Sequence, residues 1–222
     1  MKIFLDTANL DEIRWATNPG LIDGVVTSTA AIAAEDGGSE LSAHLLEICR
    51  LVHGPVSVDI AAVDVDGMYR EGRDLARLAD NVVVRIPMIE EGIIAMRRLS
   101  ADGVRVNTTL VFTAAQALLA AKAGAAYVSP FVSRLDDLGH DTLAVIRDIR
   151  EVFDSTRVEC EVIGASVSSA FHFTQCAKIG IDIAAVSPSV LRGLLVHPLT
   201  DRGLDELLTE WSQRIAKSRT EA

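Results

Sequence analysis

The 222-residue sequence predicts an α/β fold: a single (β/α)8 TIM barrel over residues 1–222, with an additional C-terminal helix at about 203–217. Three observations carry this. Eight short runs rich in β-branched residues alternate with longer segments of helical periodicity. The short runs are almost continuously apolar, as parallel strands covered on both faces must be. Each strand–helix unit has about 28 residues, enough for a βαβ crossover with short loops, and no Pro- or Ser-rich linker divides the chain.

The elements follow in order. KIFLD gives a first strand at Lys2–Leu5, with a helix starting near Leu10. The second strand is Gly24–Thr27, and the helical pattern Glu40–Val52 comes before the third, Val56–Ile60. Met68–Ala79 leads to a fourth strand at Val82–Ile86, and Ile93–Ser100 to a fifth at Val104–Thr108. Ala114–Ala123, rich in strong helix formers, precedes the sixth strand, Ala126–Ser129. Leu143–Phe153, a seventh strand at Val158–Ile163, Ser169–Ile179, an eighth strand at Ile183–Val186 and the helix Leu204–Lys217 complete the chain. A doubly wound sheet is the rival, but LDTANLDE after the first strand is not a Gly-rich dinucleotide-binding turn.

Composition narrows the function. Acids outnumber bases 31 to 21, a net charge of −10, which argues against nucleic acid and anionic membrane surfaces as partners. Three widely spaced cysteines, Cys49, Cys160 and Cys176, suggest neither a disulfide framework nor a zinc motif and fit a cytoplasmic location. The N-terminus turns acidic too early for a signal peptide, and Ala114–Val132 is too interrupted for a membrane span. The histidines show no metal-ligand spacing, so no metal site is expected.

In a barrel, chemistry sits where strands end and βα loops begin. The polar residues at those places are Asp6, Thr27, Ser28, Asp59, Arg85, Asn107, Thr109, Ser129 and Ser166, with Arg134 just beyond the sixth strand and Ser187 at the end of the eighth. Singly, most read as helix caps or turn residues. Asp59 and Arg85 do not, because an ionised group inside an apolar strand is costly unless paired. Should Arg85 point inward, Asp6 and Asp59 are its candidate partners. A structural ion-pair network and an anion site are level on this pattern alone.

The run NTTLVFTAAQALLAAKAGAAYVSPFVSRLDD (Asn107–Asp137) closely resembles the small-subunit transaldolase and fructose-6-phosphate aldolase family. FLDTANLDEI, EGIIAM and HPLTDRGLDELLTEW are similar to it as well, so the resemblance spans nearly the whole chain. It implies a (β/α)8 fold, phosphorylated ketoses as ligands, aldol chemistry through a strand-4 lysine Schiff base, and no metal or organic cofactor. It also implies a homo-oligomer packed through the C-terminal helix, with a lid over its own barrel as the helix's alternative role.

Carried across, Asp6 matches an aspartate that assists proton transfer, and Asn107 and Thr109 match a pair near the reacting carbons, Thr109 beside the catalytic water. Ser129 and Phe131 match pocket residues, Arg134 a phosphate-gripping arginine, and Ser166 a serine beside it. The departures fall at the catalytic centre. The family reads VVK-(I/V)-P on strand 4, where this chain has Val83-Val84-Arg85-Ile86-Pro87. Its TTNPS motif is replaced by Val26-Thr27-Ser28-Thr29-Ala30, its strand-3 Glu or Gln by Asp59, and a basic residue after Ser166 by Val167-Ser168-Ser169.

A guanidinium is not a carbonyl nucleophile. The expected function is therefore chemistry on a sugar-phosphate-like ketose without a Schiff base. Arg85 would stabilise charge, and Asp6 and Asp59 would move protons. The alternatives are conventional transaldolase or aldolase activity and a non-catalytic sugar-phosphate-binding homologue.

Overall fold

The computed structural model describes residues 1–36, 41–132 and 141–220. The strands are β1 (Lys2–Asp6), β2 (Gly24–Thr27), β3 (Val56–Asp59), β4 (Val82–Pro87), β5 (Val106–Val111), β6 (Tyr127–Pro130), β7 (Glu161–Val167) and β8 (Ile183–Val186). They are all parallel and close in sequence order, with β8 pairing back onto β1. The helices are α1 (Leu10–Thr17), α2 (Thr29–Asp36), α3 (Leu41–Leu51), α4 (Val65–Ala76), α5 (Glu90–Ala101), α6 (Ala114–Ala123), α7 (Thr142–Thr156), α8 (Ala170–Ile179), α9 (Pro188–Leu194) and α10 (Pro198–Thr220).

Strand alternation sorts the side chains into two layers. Phe4, Val26, Val83, Tyr127, Ile163, Ile183 and Ala185 pack together inside the barrel. Leu5, Val25, Val58, Val84, Ile86, Val106 and Val128 belong to the layer beneath the helices, with Leu45, Ile48, Met68, Met96, Leu99 and Ile146. The aliphatic members of this layer each contribute about 1.5–3 kcal/mol of burial. Gly24 is forced by the inner layer, since a Cβ there would meet Phe4 Cε1 at 2.5 Å and the Pro55 carbonyl at 2.7 Å.

Side-chain caps start the helices where the strands stop. Asn9 accepts from the Asp11 and Glu12 amides, Asp64 from Gly67, Thr113 from Gln116, Ser169 from His172 and Ser187 from Val190. Each cap is worth about 0.5–2 kcal/mol. The capping role open to Asp6 is therefore taken by Asn9, whereas Ser187 is a cap. Arg192 lies 3.7 Å over the Trp15 ring and ties α9 to α1 across the closure of the helical ring.

The structure adds α2 and α9 to the elements read from the sequence. It also extends β5 and β7 towards their C-terminal ends. Both extensions carry a register irregularity, between Thr108 and Val111 and between Gly164 and Val167. Each contains one non-glycine residue in the left-handed region: Leu110 and Ser166, both at φ 58°. Bulges of this kind re-aim side chains at barrel rims. Helix α10 begins at Pro198, earlier than the expected 203, and its described side chains through Gln213 are exposed apart from half-buried Gly203. Among the described residues, α10 buries no face against the barrel. Among the described residues, no helix is long and apolar enough to cross a membrane.

Candidate active site

A cavity of about 420 Å³ opens where the strands end. Its wall includes Asp6 from β1, Asp59 from β3, Arg85 and Pro87 from β4, Thr109 from β5, Ser129 from β6, Phe131 just beyond β6, and Ser166 from β7. Seven of the residues expected from the sequence thus share one chamber. They come from six strands because each is an inward position at a strand's C-terminal end.

Asp59 and Arg85 are register partners on β3 and β4. Arg85 Nε donates to Asp59 Oδ1, and Arg85 Nη2 donates to Asp59 Oδ2 at 2.5 Å. This is the planar two-point geometry that guanidinium and carboxylate share. The side chains retain only 17% and 30% exposure, so the pair is partly shielded from solvent. Nη1 has no protein partner among the described residues, which leaves its two N–H groups for a ligand.

Asp6 completes the charged group. Its side chain is open to the water of the cavity, yet the barrel wall crowds round it. That desolvation raises its pKa above the ordinary aspartate value; the Arg85 charge opposes the rise and the Asp59 charge adds to it. Asp6 is consequently easier to protonate than a surface aspartate.

Beneath the cavity lies a buried polar chain. Asn107 Nδ2 donates to Ser57 Oγ at 3.0 Å, and Ser129 Oγ donates to Asn107 Oδ1 at 2.7 Å. Asn107 is wholly buried and does not line the cavity. It was expected to act at the reacting carbons; its place is under the floor, where it orients Ser129. Ser57 was missed in the sequence, although its position two residues before Asp59 on one strand puts both on the inner face.

Two other residues expected to contact the ligand do not line the chamber. Thr27 belongs to the outer face of β2, the face of Val25, and it is Val26 that lines the cavity. The Thr27 hydroxyl is buried with no hydrogen-bond partner among the described residues. Ser28 accepts from the Ala31 amide at 3.0 Å at the start of α2 and does not line the cavity. Arg134 lies outside the described residues. Sequence reasoning also missed the apolar wall formed by Val26, Ile60, Leu110 and Ile163. Phe131 joins that wall and stacks on Phe112, centroids 6.0 Å apart.

No lysine lines the chamber among the described residues. Lys2 starts β1 at the opposite end of the barrel and pairs with Glu161 at 2.6 Å. Lys122 and Lys178 lie in the last turns of α6 and α8. Lys217 lies in α10. The thiols offer no nucleophile either: burial pushes Cys49 and Cys176 up to about 11 and Cys160 up to about 12. Among the described residues, no group of three or more His, Cys, Asp or Glu side chains is arranged to hold a metal ion.

The family model for transaldolase/fructose-6-phosphate aldolase matches residues 3–221. The chain belongs to this family. A probable transaldolase of Desulforapulum autotrophicum is 47% identical over 214 residues, covering 96% of this chain and 99% of that protein. Another from Methanococcus maripaludis strain C7 is 49% identical over 211 residues, covering 95% and 97%. A third, from Kosmotoga olearia, is 46% identical over 213 residues, covering 96% and 97%. Among solved structures, a cube-shaped protein cage designed by fusing symmetric oligomeric domains matches with a TM-score of 0.61 at 13% identity, over 99% of this chain and 80% of that one. That likeness concerns the fold alone. Family membership supports an enzyme of sugar-phosphate aldol or transfer chemistry, and carbohydrate metabolism as its setting.

Proposed function

We propose that this member of the transaldolase/fructose-6-phosphate aldolase family acts on a sugar-phosphate-like ketose without a lysine Schiff base. The observation that carries the reading is Arg85, held by Asp59 on the cavity wall at the strand-4 position where the resemblance puts the lysine. A guanidinium does not add to a carbonyl, but it can hydrogen-bond the oxygen on which negative charge develops. Nη1 supplies those donors.

Asp6 supplies the proton transfers. In an isomerisation, its carboxylate takes the proton from the carbon beside the carbonyl, leaving an enediolate whose oxygen accepts hydrogen bonds from Arg85 Nη1. The hydroxyl proton of the enediolate passes to the former carbonyl oxygen, and the protonated Asp6 returns its proton to the neighbouring carbon. In a retro-aldol cleavage, Asp6 takes the proton of the β-hydroxyl, the C–C bond breaks, and the electron pair passes to the enolate beside Arg85. Because its pKa is raised, Asp6 exchanges its proton nearer neutrality than an ordinary aspartate. Thr109, Ser129 and Ser166 supply hydroxyls for the sugar chain, and Arg134 is the proposed phosphate grip. Asp59 serves chiefly by holding Arg85.

Proton exchange tests this reading. Fructose 6-phosphate or dihydroxyacetone phosphate incubated with the protein in heavy water gains deuterium at carbon. Asp6→Asn slows that exchange by about 10²–10⁴-fold. Tight binding with no exchange on any phosphorylated ketose tried would replace the enzyme by the non-catalytic ligand-binding reading.

The same proposal extends to assembly. Leu199, Leu204, Leu207, Leu208 and Trp211 expose between 53% and 66% of their surface along α10. An apolar row so open to water calls for a partner, and a second copy of the chain supplies one.

A further inference from the structure

We infer that Asp59 is a specificity-determining residue: by neutralising Arg85 it makes the chamber select a ligand whose reacting end is an uncharged, hydroxyl-bearing carbon chain, and reject one that ends there in a carboxylate. The inference rests on the sugar-phosphate reading above and adds the residue that sets selectivity for the end held between Asp6 and Arg85.

Charge sets the selectivity. Three charged side chains line the cavity among the described residues: Asp6, Asp59 and Arg85. An unpaired arginine on a strand end would make this wall a carboxylate receptor, since guanidinium binds carboxylate through two parallel hydrogen bonds. Here that geometry is already occupied. Nε and Nη2 are both committed to Asp59, so a ligand carboxylate finds only Nη1 and meets a cation whose charge is already balanced.

Asp6 then decides the sign. With Arg85 and Asp59 cancelling each other, ionised Asp6 leaves the wall net negative. A second carboxylate held beside it faces like-charge repulsion in a partly desolvated space. A hydroxyl or ketone faces none.

The hydrogen-bond polarity agrees. Asp6 and Asp59 accept, and Ser129 has committed its one proton to Asn107 Oδ1, so towards the cavity its oxygen accepts. A polyol supplies donors to these groups and a carboxylate supplies none, while Nη1 remains for one carbonyl or hydroxyl oxygen.

A matched pair of ligands isolates the term. Arabinitol 5-phosphate and arabinonate 5-phosphate differ only in a CH₂OH or a COO⁻ at the far end from the phosphate. Calorimetric titration of the full chain is expected to give the polyol an affinity at least about ten-fold higher. In Asp59→Asn the arginine regains its free charge, and the ratio falls by at least about ten-fold in favour of the carboxylate. Equal or tighter binding of arabinonate 5-phosphate by the unsubstituted protein overturns the inference while leaving the sugar-phosphate reading intact. An unchanged ratio in folded Asp59→Asn overturns the role given to Asp59. Failure of both ligands to bind overturns the sugar-phosphate reading and this inference with it. The comparison on the unsubstituted protein stands even if the variant does not fold.

Discussion

Arg85 and Asp59 lie side by side on adjacent parallel strands and close on one another through two hydrogen bonds, at the wall of the cavity that also holds Asp6. The pair accounts for how a permanent cation is tolerated within an apolar strand. Removing either partner leaves the other partly buried and uncompensated, at a cost of about 1–3 kcal/mol. It also makes Arg85 a fixed hydrogen-bond donor.

Arg85→Lys places an amine at the strand-4 position while keeping the positive partner of Asp59. The variant is expected to form an imine with dihydroxyacetone or fructose 6-phosphate, seen after borohydride reduction as a mass increase on the peptide that contains the substituted position. A folded variant that gains no mass would mean that the remainder of the chamber, including the change at Val26, no longer supports imine chemistry.

Asp6 gives a pH prediction. Its folded pKa is raised, chiefly by desolvation. The folded state therefore holds the Asp6 proton more tightly than the unfolded chain. Stability from this group is complete below the unfolded value and is lost as pH rises through the folded value. Asp6→Asn removes that loss, so its thermal stability should exceed the parent's at neutral pH, with the difference shrinking towards acid. Melting curves across pH check this; an Asn variant less stable at neutral than at acid pH, relative to the parent, contradicts it.

Thr27→Val tests the placement of β2. The threonine hydroxyl is buried without a partner among the described residues, on the outer face of the strand. Valine keeps the shape and removes the unsatisfied group, so the variant should gain about 1 kcal/mol, or about 2–4 °C in Tm, with ligand affinity unchanged. Weaker ligand binding would put Thr27 in the chamber after all.

The barrel was legible because its signal repeats: eight apolar runs at regular spacing leave few other folds. Asp59 and Arg85 were legible because ionised residues in such runs need an explanation. The sequence shows where a strand ends but not which face its last residues take, so it does not separate Thr27 from Val26; the register partner of Asp6 is Val26. The strand position of Asn107 likewise does not reveal its depth beneath Ser129. Leu110 and Ser166 carried no local sign of their left-handed backbone, which arises from the bulges in β5 and β7. Helix α2 was missed because TAAIAAED is short and has little apolar periodicity.

For α10, Leu207→Glu combined with Trp211→Glu puts charge on its exposed apolar row. Light scattering should report a smaller particle than the parent forms, with the barrel's far-ultraviolet spectrum retained. An unchanged particle mass would separate α10 from assembly.

The most direct test of the lysine-independent account is the intact mass of the unsubstituted protein after borohydride treatment under saturating phosphorylated ketose that is undergoing proton exchange. The account predicts exchange into the ketose with no mass added to the protein. A reduced ketose adduct on any of Lys2, Lys122, Lys178 or Lys217 would contradict it.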